Sequence, residues 1–269
     1  MVSRLTVSLC FVVVLSISIP TNADLVGYWN FDDNTEDHSG NGNHGSIEGG
    51  VSYDADVPGA LGAGTSASFD GAAGTFVNVT QAAGLPITTQ NAFTISMWVK
   101  GDGTVNNVDD RIFSEGMSTN NNPLFNLGTK NNGSDALFDF FFRNGGSPGH
   151  LFSDGDVFDD TWRHLAWVDV DHNGTLYIDG VADKSFDYAS YVNDGFAPNT
   201  TTIGGILRAT DCCNYTGLID DVAIYSTALS ADQVGALAGG AAPPTVPEPS
   251  SLVLVVVGLL GLLRVRRSR

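Results

Sequence analysis

Residues 161–183 read TWRHLAWVDVDHNGTLYIDGVAD. From Trp162 to Val170 the stretch is rich in aromatic and β-branched side chains, the composition of a strand. Asn173-Gly174 offers the positive-φ pair that a tight hairpin turn needs, so Thr175 to Ile178 is expected to return antiparallel. Asp179-Gly180 then turns the chain again. Leu165 and Trp167 fall on one face of the first strand, and Ala166, Val168 and Val170 on the other. A strand that is apolar on both faces lies inside a layered domain, not at an open edge.

Outward from this hairpin the composition stays that of strands and turns. The 269 residues include 32 Gly, with frequent Asn, Asp, Thr and Phe, while Lys and Glu are scarce. The two ends differ from the body. Residues 1–23 carry Arg4, an apolar run over 5–19 and small residues up to Ala23, the layout of a signal peptide cut after Ala23. Residues 239–250 form a Pro-rich linker, 251–263 an apolar segment and 264–269 a basic tail, RVRRSR. A short transmembrane helix with its arginines on the cytoplasmic side is expected there. Residues 24–238 remain as one all-β domain.

The chain has 12 Lys and Arg against 30 Asp and Glu, a net charge of -18. Five of the basic residues lie in the terminal segments, which leaves seven for the domain. Such a body repels nucleic acid and anionic membrane, so membrane contact is expected only through the C-terminal segment. The same charge favours Ca²⁺ as a ligand.

Residues 24–31, DLVGYWNF, open the domain as a strand and run into DDNTEDHSGNGNHGSI. That loop sets oxygens of Asp32, Asp37 and Asn43 beside glycines, a composition that suits a hard cation. Residues 67–79, ASFDGAAGTFVNV, read as a hairpin turning near Asp70-Gly71. In FTISMWVK (93–100), Phe93, Ile95, Met97 and Val99 form a core face, with Trp98 on the other. Further strands are expected at 111–116, 124–130, 136–143, 201–206 and 217–225. In the third of these, Phe138, Phe140 and Phe142 make a core stripe; Asp139, Phe141 and Arg143 make a stripe free to bind. Asp220 and Asp221 are expected on opposite faces. Ser230, with Gln233 three positions on, is a capping box that starts a short helix. Asp169-x-Asp171-x-Asn173-Gly174 copies the start of an EF-hand loop, but its twelfth position is Gly180 and the hairpin accounts for the same residues.

Several of these stretches share a resemblance. They are W-x-H-x-A-x-V followed by L-Y-I-D-G, the opening W-x-F-D with D-x-S-G-N-G-N-x-G, FTISMWV, and G-x-I-D-D-V-x-I-Y followed by S-x-A-L-S-A-D-Q-V. Together they resemble the laminin-G-like, concanavalin A-like family across 24–238. The resemblance implies a jelly-roll sandwich of two antiparallel sheets, with first and last strands side by side, used outside cells to bind carbohydrate or protein. It also implies that Asp220 joins Asp32, Asp37 and Asn43 around a structural Ca²⁺. Trp98, Phe141, Trp167 and Tyr191 are the aromatic candidates for stacking on a sugar. The tail, with Val246, Pro247, Glu248 and Pro249, resembles the PEP-CTERM sorting signal. That signal implies processing by an exosortase at the surface of a Gram-negative bacterium, after transient anchoring in the inner membrane.

Catalysis is disfavoured. A retaining glycosidase needs two neighbouring carboxylates, whereas Glu36, Glu48, Glu115 and Glu248 stand alone and the E-x-D-x-E motif of laminarinase-like relatives is absent. Cys212-Cys213, the only cysteines of the mature chain, can form a vicinal disulfide, stay reduced or bridge chains. The expected function is an exported, non-catalytic module binding exopolysaccharide or another glycan. The alternative is a structural matrix or adhesion protein that recognises protein.

Overall fold

The computed structural model describes residues 25–243, apart from 81, 102–107, 133–134 and 211. The expected signal peptide, the VPEP motif, the apolar segment and the basic tail lie outside the described residues. Among the described residues no helix is long and apolar enough to cross a membrane.

Among the described residues fifteen strands form two antiparallel sheets. The first sheet runs β13 (Val181–Asp187), β12 (Asn173–Ile178), β11 (Arg163–Val170), β6 (Ala92–Lys100), β15 (Thr216–Tyr225), β4 (Ser66–Asp70), β3 (Ser52–Asp54), with β1 (Leu25–Trp29) also paired to β15. The second runs β10 (Gly146–Asp156), β9 (Leu137–Asn144), β8 (Asn120–Thr129), β7 (Arg111–Met117), β14 (Thr200–Ile203), β5 (Phe76–Asn78), β2 (Ser46–Glu48). The first and last strands do meet, with Trp29 opposite Val222.

Period-two alternation builds the core. Phe93, Ile95, Met97 and Val99 of β6 face Phe113 of β7, Phe125 and Leu127 of β8, and Phe138, Phe140 and Phe142 of β9 across the sandwich. The outer face of the first sheet is covered as well. Ala166, Val168, Ala223 and Tyr225 pack beneath Val234 and Leu237 of α1 (Ala231–Ala238). The Ser230–Gln233 capping box that starts this helix is formed as read. β11 is therefore buried on both faces, as its composition requires.

Three local expectations are corrected. The β11–β12 turn falls on Asp171 and His172, both at positive φ, two residues before the expected Asn173-Gly174. Gly174 is needed inside β12, because a Cβ there would meet the Trp167 indole at 1.8 Å. The stretch 67–79 is not a hairpin: β4 belongs to the first sheet and β5 to the second, so the chain arches between layers. Asp220 and Asp221 do not take opposite faces. A bulge with Asp221 at φ 47 lies between Ile219 and Val222, both core residues, and turns the two carboxylates outward. β10 and β13 were not foreseen; their glycines and charges blur the alternation.

Candidate functional site

The outer face of the second sheet carries a cleft of about 330 Å³ of open space. Much of that space is open to solvent; the room for water-sized groups is about 80 Å³, well below the ~300–1,000 Å³ typical of small-ligand sites, so the cleft takes a single polar group at a time. Strand alternation supplies its walls. Because Phe138, Phe140 and Phe142 point inward, Asp139, Phe141 and Arg143 of β9 must point out. By the same rule β8 contributes Asn126 and β10 His150, while Arg111 of β7 joins them because the register of β7 shifts between Arg111 and Phe113. The loop after β14 closes the cleft with Ile206, Arg208 and the Cys212–Cys213 disulfide, which is formed.

Charge in this cleft is ordered in pairs. Arg111, only 3% exposed, pairs with Asp109. His150 Nδ1 lies 2.5 Å from Asp139 Oδ2. Burial pushes the Asp139 carboxyl up, while the His150 hydrogen bond and Arg111 pull it down. Arg143 lies over the Phe141 ring at 5.0 Å and donates from Nη1 to the Asn121 carbonyl at 3.2 Å. Arg208 donates from Nε to the Thr210 carbonyl at 3.0 Å and from Nη2 to Cys212 Sγ. Burial, followed by the neighbouring Arg111 and Arg143 cations, lowers the Arg208 pKa. Asp109, Asp139 and His150 bring ligand atoms within 4.8 Å of one another, as a metal site would. Arg111 already occupies Asp109, however, so the trio serves to hold Arg111 and His150.

The aromatic candidates separate. Phe141 alone lines the cleft, and its ring is covered, with His150 at 4.6 Å and Arg143 at 5.0 Å. It positions those two groups and does not offer an open platform. Trp167 is 1% exposed in the core, where it stacks on Phe186. Trp98 is buried on the outer face of the first sheet, 5.2 Å from the His164 ring. Tyr191 sits in a short turn (Ala189–Tyr191), half-buried against the edge of the core. Sequence reasoning marked Phe141 and the outward stripe of β9. It missed Arg111, His150 and Arg208, which no local pattern joins.

The four expected calcium residues do not converge either. Asp37 accepts from the backbone N–H groups of Tyr28, Ser39 and Asn43 and from Ser39 Oγ. Asn43 bridges Val26 and Ala83. Both residues thus hold the loop. Asp32 accepts from Thr65 N–H and faces Asp220 and Asp221 across the β1–β15 seam. Burial, then Asp221, pushes Asp220 up to about 8. Burial likewise pushes Asp221 up to about 6, against the hydrogen bond from Tyr28.

His164 is buried on this side with Nε2 2.9 Å from Ser96 Oγ. Burial depresses its pKa to about 4, partly offset by Asp179. Because the folded value lies below the unfolded one, neutral His164 contributes stability above about pH 6.5, and this is lost as pH falls toward 4. We predict that the unfolding free energy of the wild type, minus that of His164→Gln, falls by about 2–3 kcal/mol between pH 7 and pH 4. Parallel urea titrations of the two proteins check this; a flat difference refutes it. Subtraction removes the opposing trend of the raised carboxylates.

A family model for the concanavalin A-like lectin/glucanases superfamily (Laminin_G_3) matches residues 70–235. The chain belongs to this superfamily. A second model, for the PEP-CTERM protein-sorting motif, matches residues 245–267. The search of curated proteins found no match. Among solved structures, domain 4 of a GH43 extracellular arabinanase from Geobacillus stearothermophilus, in complex with arabinotriose, is similar at TM-score 0.60 and 23% identity. That match covers 81% of this chain and 99% of the domain. The CBM40 of a Ruminococcus gnavus IT-sialidase, bound to α2,3-sialyllactose, is similar at TM-score 0.53 and 19% identity, covering 64% of this chain and 96% of the module. The binding domain of Paraclostridial Mosquitocidal Protein 1 gives TM-score 0.59 and 17% identity, over 80% of this chain and 52% of that one. At these identities the likeness establishes the fold. Family membership and the sorting motif agree with the resemblance read from the residues.

Proposed function

We propose that the protein is an exported, non-catalytic carbohydrate-binding module, and that the cleft on the outer face of the second sheet is its binding site. The observation that carries this reading is the convergence of arginine, histidine and asparagine side chains from four adjacent strands, with Asp109 and Arg208 from flanking loops, into one small cleft. Two similar structures are modules whose solved forms hold arabinotriose and sialyllactose, which supports a sugar as the ligand. Two neighbouring carboxylates, Asp109 and Asp139, do border the cleft, but their engagement disfavours a glycosidase pair. Asp139 and Asp109 are engaged by His150 and Arg111, and Glu115 is buried in the interior. The sorting motif supports display at a Gram-negative cell surface or in its exopolysaccharide, after exosortase processing of a transient membrane anchor. Residues 24–238 are the proposed domain. Calcium belongs to the proposal at the seam of Asp32, Asp220 and Asp221, where a divalent cation would relieve the carboxylate repulsion.

A glycan array probed with the secreted domain, with and without EDTA, tests the reading. Retention of a defined glycan set without cleavage is expected. Release of products, or binding to matrix proteins and to no glycan, would replace it with the enzyme or adhesion alternative. Lowered melting temperature in EDTA, restored by Ca²⁺, is the result expected of the seam site; an unchanged melt removes calcium from the proposal.

A further inference from the structure

The domain holds seven lysines and arginines, in a chain with 30 acidic residues. Five of them are in ion pairs: Lys100 with Asp56, Arg111 with Asp109, Lys130 with Asp135, Arg163 with Asp159 and Asp179, and Lys184 with Asp154. Among the described residues, the two that pair with no carboxylate are Arg143 and Arg208. Both line the same cleft, although the chain offers acidic partners in excess. Placing them beside a third arginine carries a cost. Like charges in a partly buried site repel, and the Arg208 guanidinium feels both of its neighbours. Deeper in the cleft, Arg111 is almost fully buried, and its Nε and Nη1 have no hydrogen-bond partner. Buried donors left unmatched are unfavourable and call for a partner. Asp109 pairs with Arg111 and Asp139 is hydrogen-bonded to His150, so neither carboxylate pairs with Arg143 or Arg208. An acidic protein has thus concentrated unpaired positive charge in one place.

We infer that the cleft recognises a carboxylate-bearing sugar, with Arg143 and Arg208 holding the anionic group; the inference rests on the glycan-binding reading above. Guanidinium forks match carboxylate geometry and bind it more strongly than they bind neutral hydroxyls. The size of the cleft and the negative charge of the surrounding surface favour one acidic unit at a time over a long polyanion. His150, held against Phe141, and Asn126 remain to meet the sugar's hydroxyls.

Calorimetric titration of the secreted domain with three probes tests this: a galacturonic acid trimer, the same trimer as its methyl ester, and inorganic sulfate. The free acid is expected to bind at least about tenfold tighter than the ester, the weight of one charge-assisted contact. Arg143→Gln combined with Arg208→Gln is expected to abolish that preference while leaving the melting temperature within a degree or two of wild type, since neither side chain is part of an ion pair. Equal binding of acid and ester overturns the inference but leaves glycan binding standing. Sulfate bound without either trimer makes the cleft a simple anion site and overturns the inference, leaving the broader reading to the glycan array. Failure of all three probes overturns the inference, and the glycan array then decides the broader reading separately.

Discussion

Replacing Glu115 by alanine is expected to cost about 3–6 kcal/mol of unfolding free energy, among the largest single-residue effects in the molecule. Glu115 follows Phe113 on the inward face of β7 and is fully buried with no cation beside it. Its carboxylate is satisfied by donors alone. Oε1 accepts from Ile87 N–H at 2.7 Å and Thr201 Oγ1 at 2.9 Å. Oε2 accepts from Thr88 N–H at 2.9 Å and Thr88 Oγ1 at 2.5 Å. Burial raises its pKa, and these bonds pull it back. The side chain thus ties the turn Ile87–Thr89 to β7 and β14 and closes that part of the sandwich. Alanine leaves two fixed backbone N–H groups unmatched, at about 1–3 kcal/mol each, while the two hydroxyls can rotate to other acceptors. Glu115→Gln keeps the volume and one acceptor, so it should lose less. Urea midpoints of the three proteins check the order; an alanine variant within about 1 kcal/mol of wild type would show that the turn relaxes onto water.

Trp167→Ala should be comparably damaging, at about 3–5 kcal/mol, the usual range for an aromatic-to-alanine change in a core. The indole packs against Phe140 at 4.5 Å, Phe186 at 5.4 Å and Phe125 at 5.8 Å, with Phe138 stacked further out. Its Nε1 also donates to the buried Asp169, which Tyr188 and the His172 backbone serve as well. Truncation therefore opens a cavity and takes one donor from a carboxylate that burial already holds above its usual range. Trp167→Phe should fold and bind glycans as the wild type does, because the residue lies in the core and the cleft is on the outer face of the opposite sheet. Loss of binding in a folded phenylalanine variant would contradict that placement.

The contrast between these residues shows what could be read along the chain. Trp167 stood out because its neighbours alternate, and alternation follows from backbone geometry alone. The outward stripe of β9 was legible for the same reason, so Asp139, Phe141 and Arg143 were placed correctly before any fold was known. Glu115 carried no such mark. An isolated glutamate in a strand looks solvated until a turn 28 residues earlier is folded against it. The Asp171-His172 turn was displaced from Asn173-Gly174 because a glycine required for packing under an indole has the same signature as a glycine required for a turn.

The order of residues by itself determined an all-β body, its apolar faces, the capped helix and the sorting tail, since each depends on neighbours within a few positions. Only the tertiary structure decided that Arg143 and Arg208 meet Arg111 over one cleft, and that Asp37 and Asn43 are spent on their own loop. Those outcomes depend on which strands lie side by side. Pairing between distant strands is set by the packing of the whole sandwich, and no local spacing encodes it.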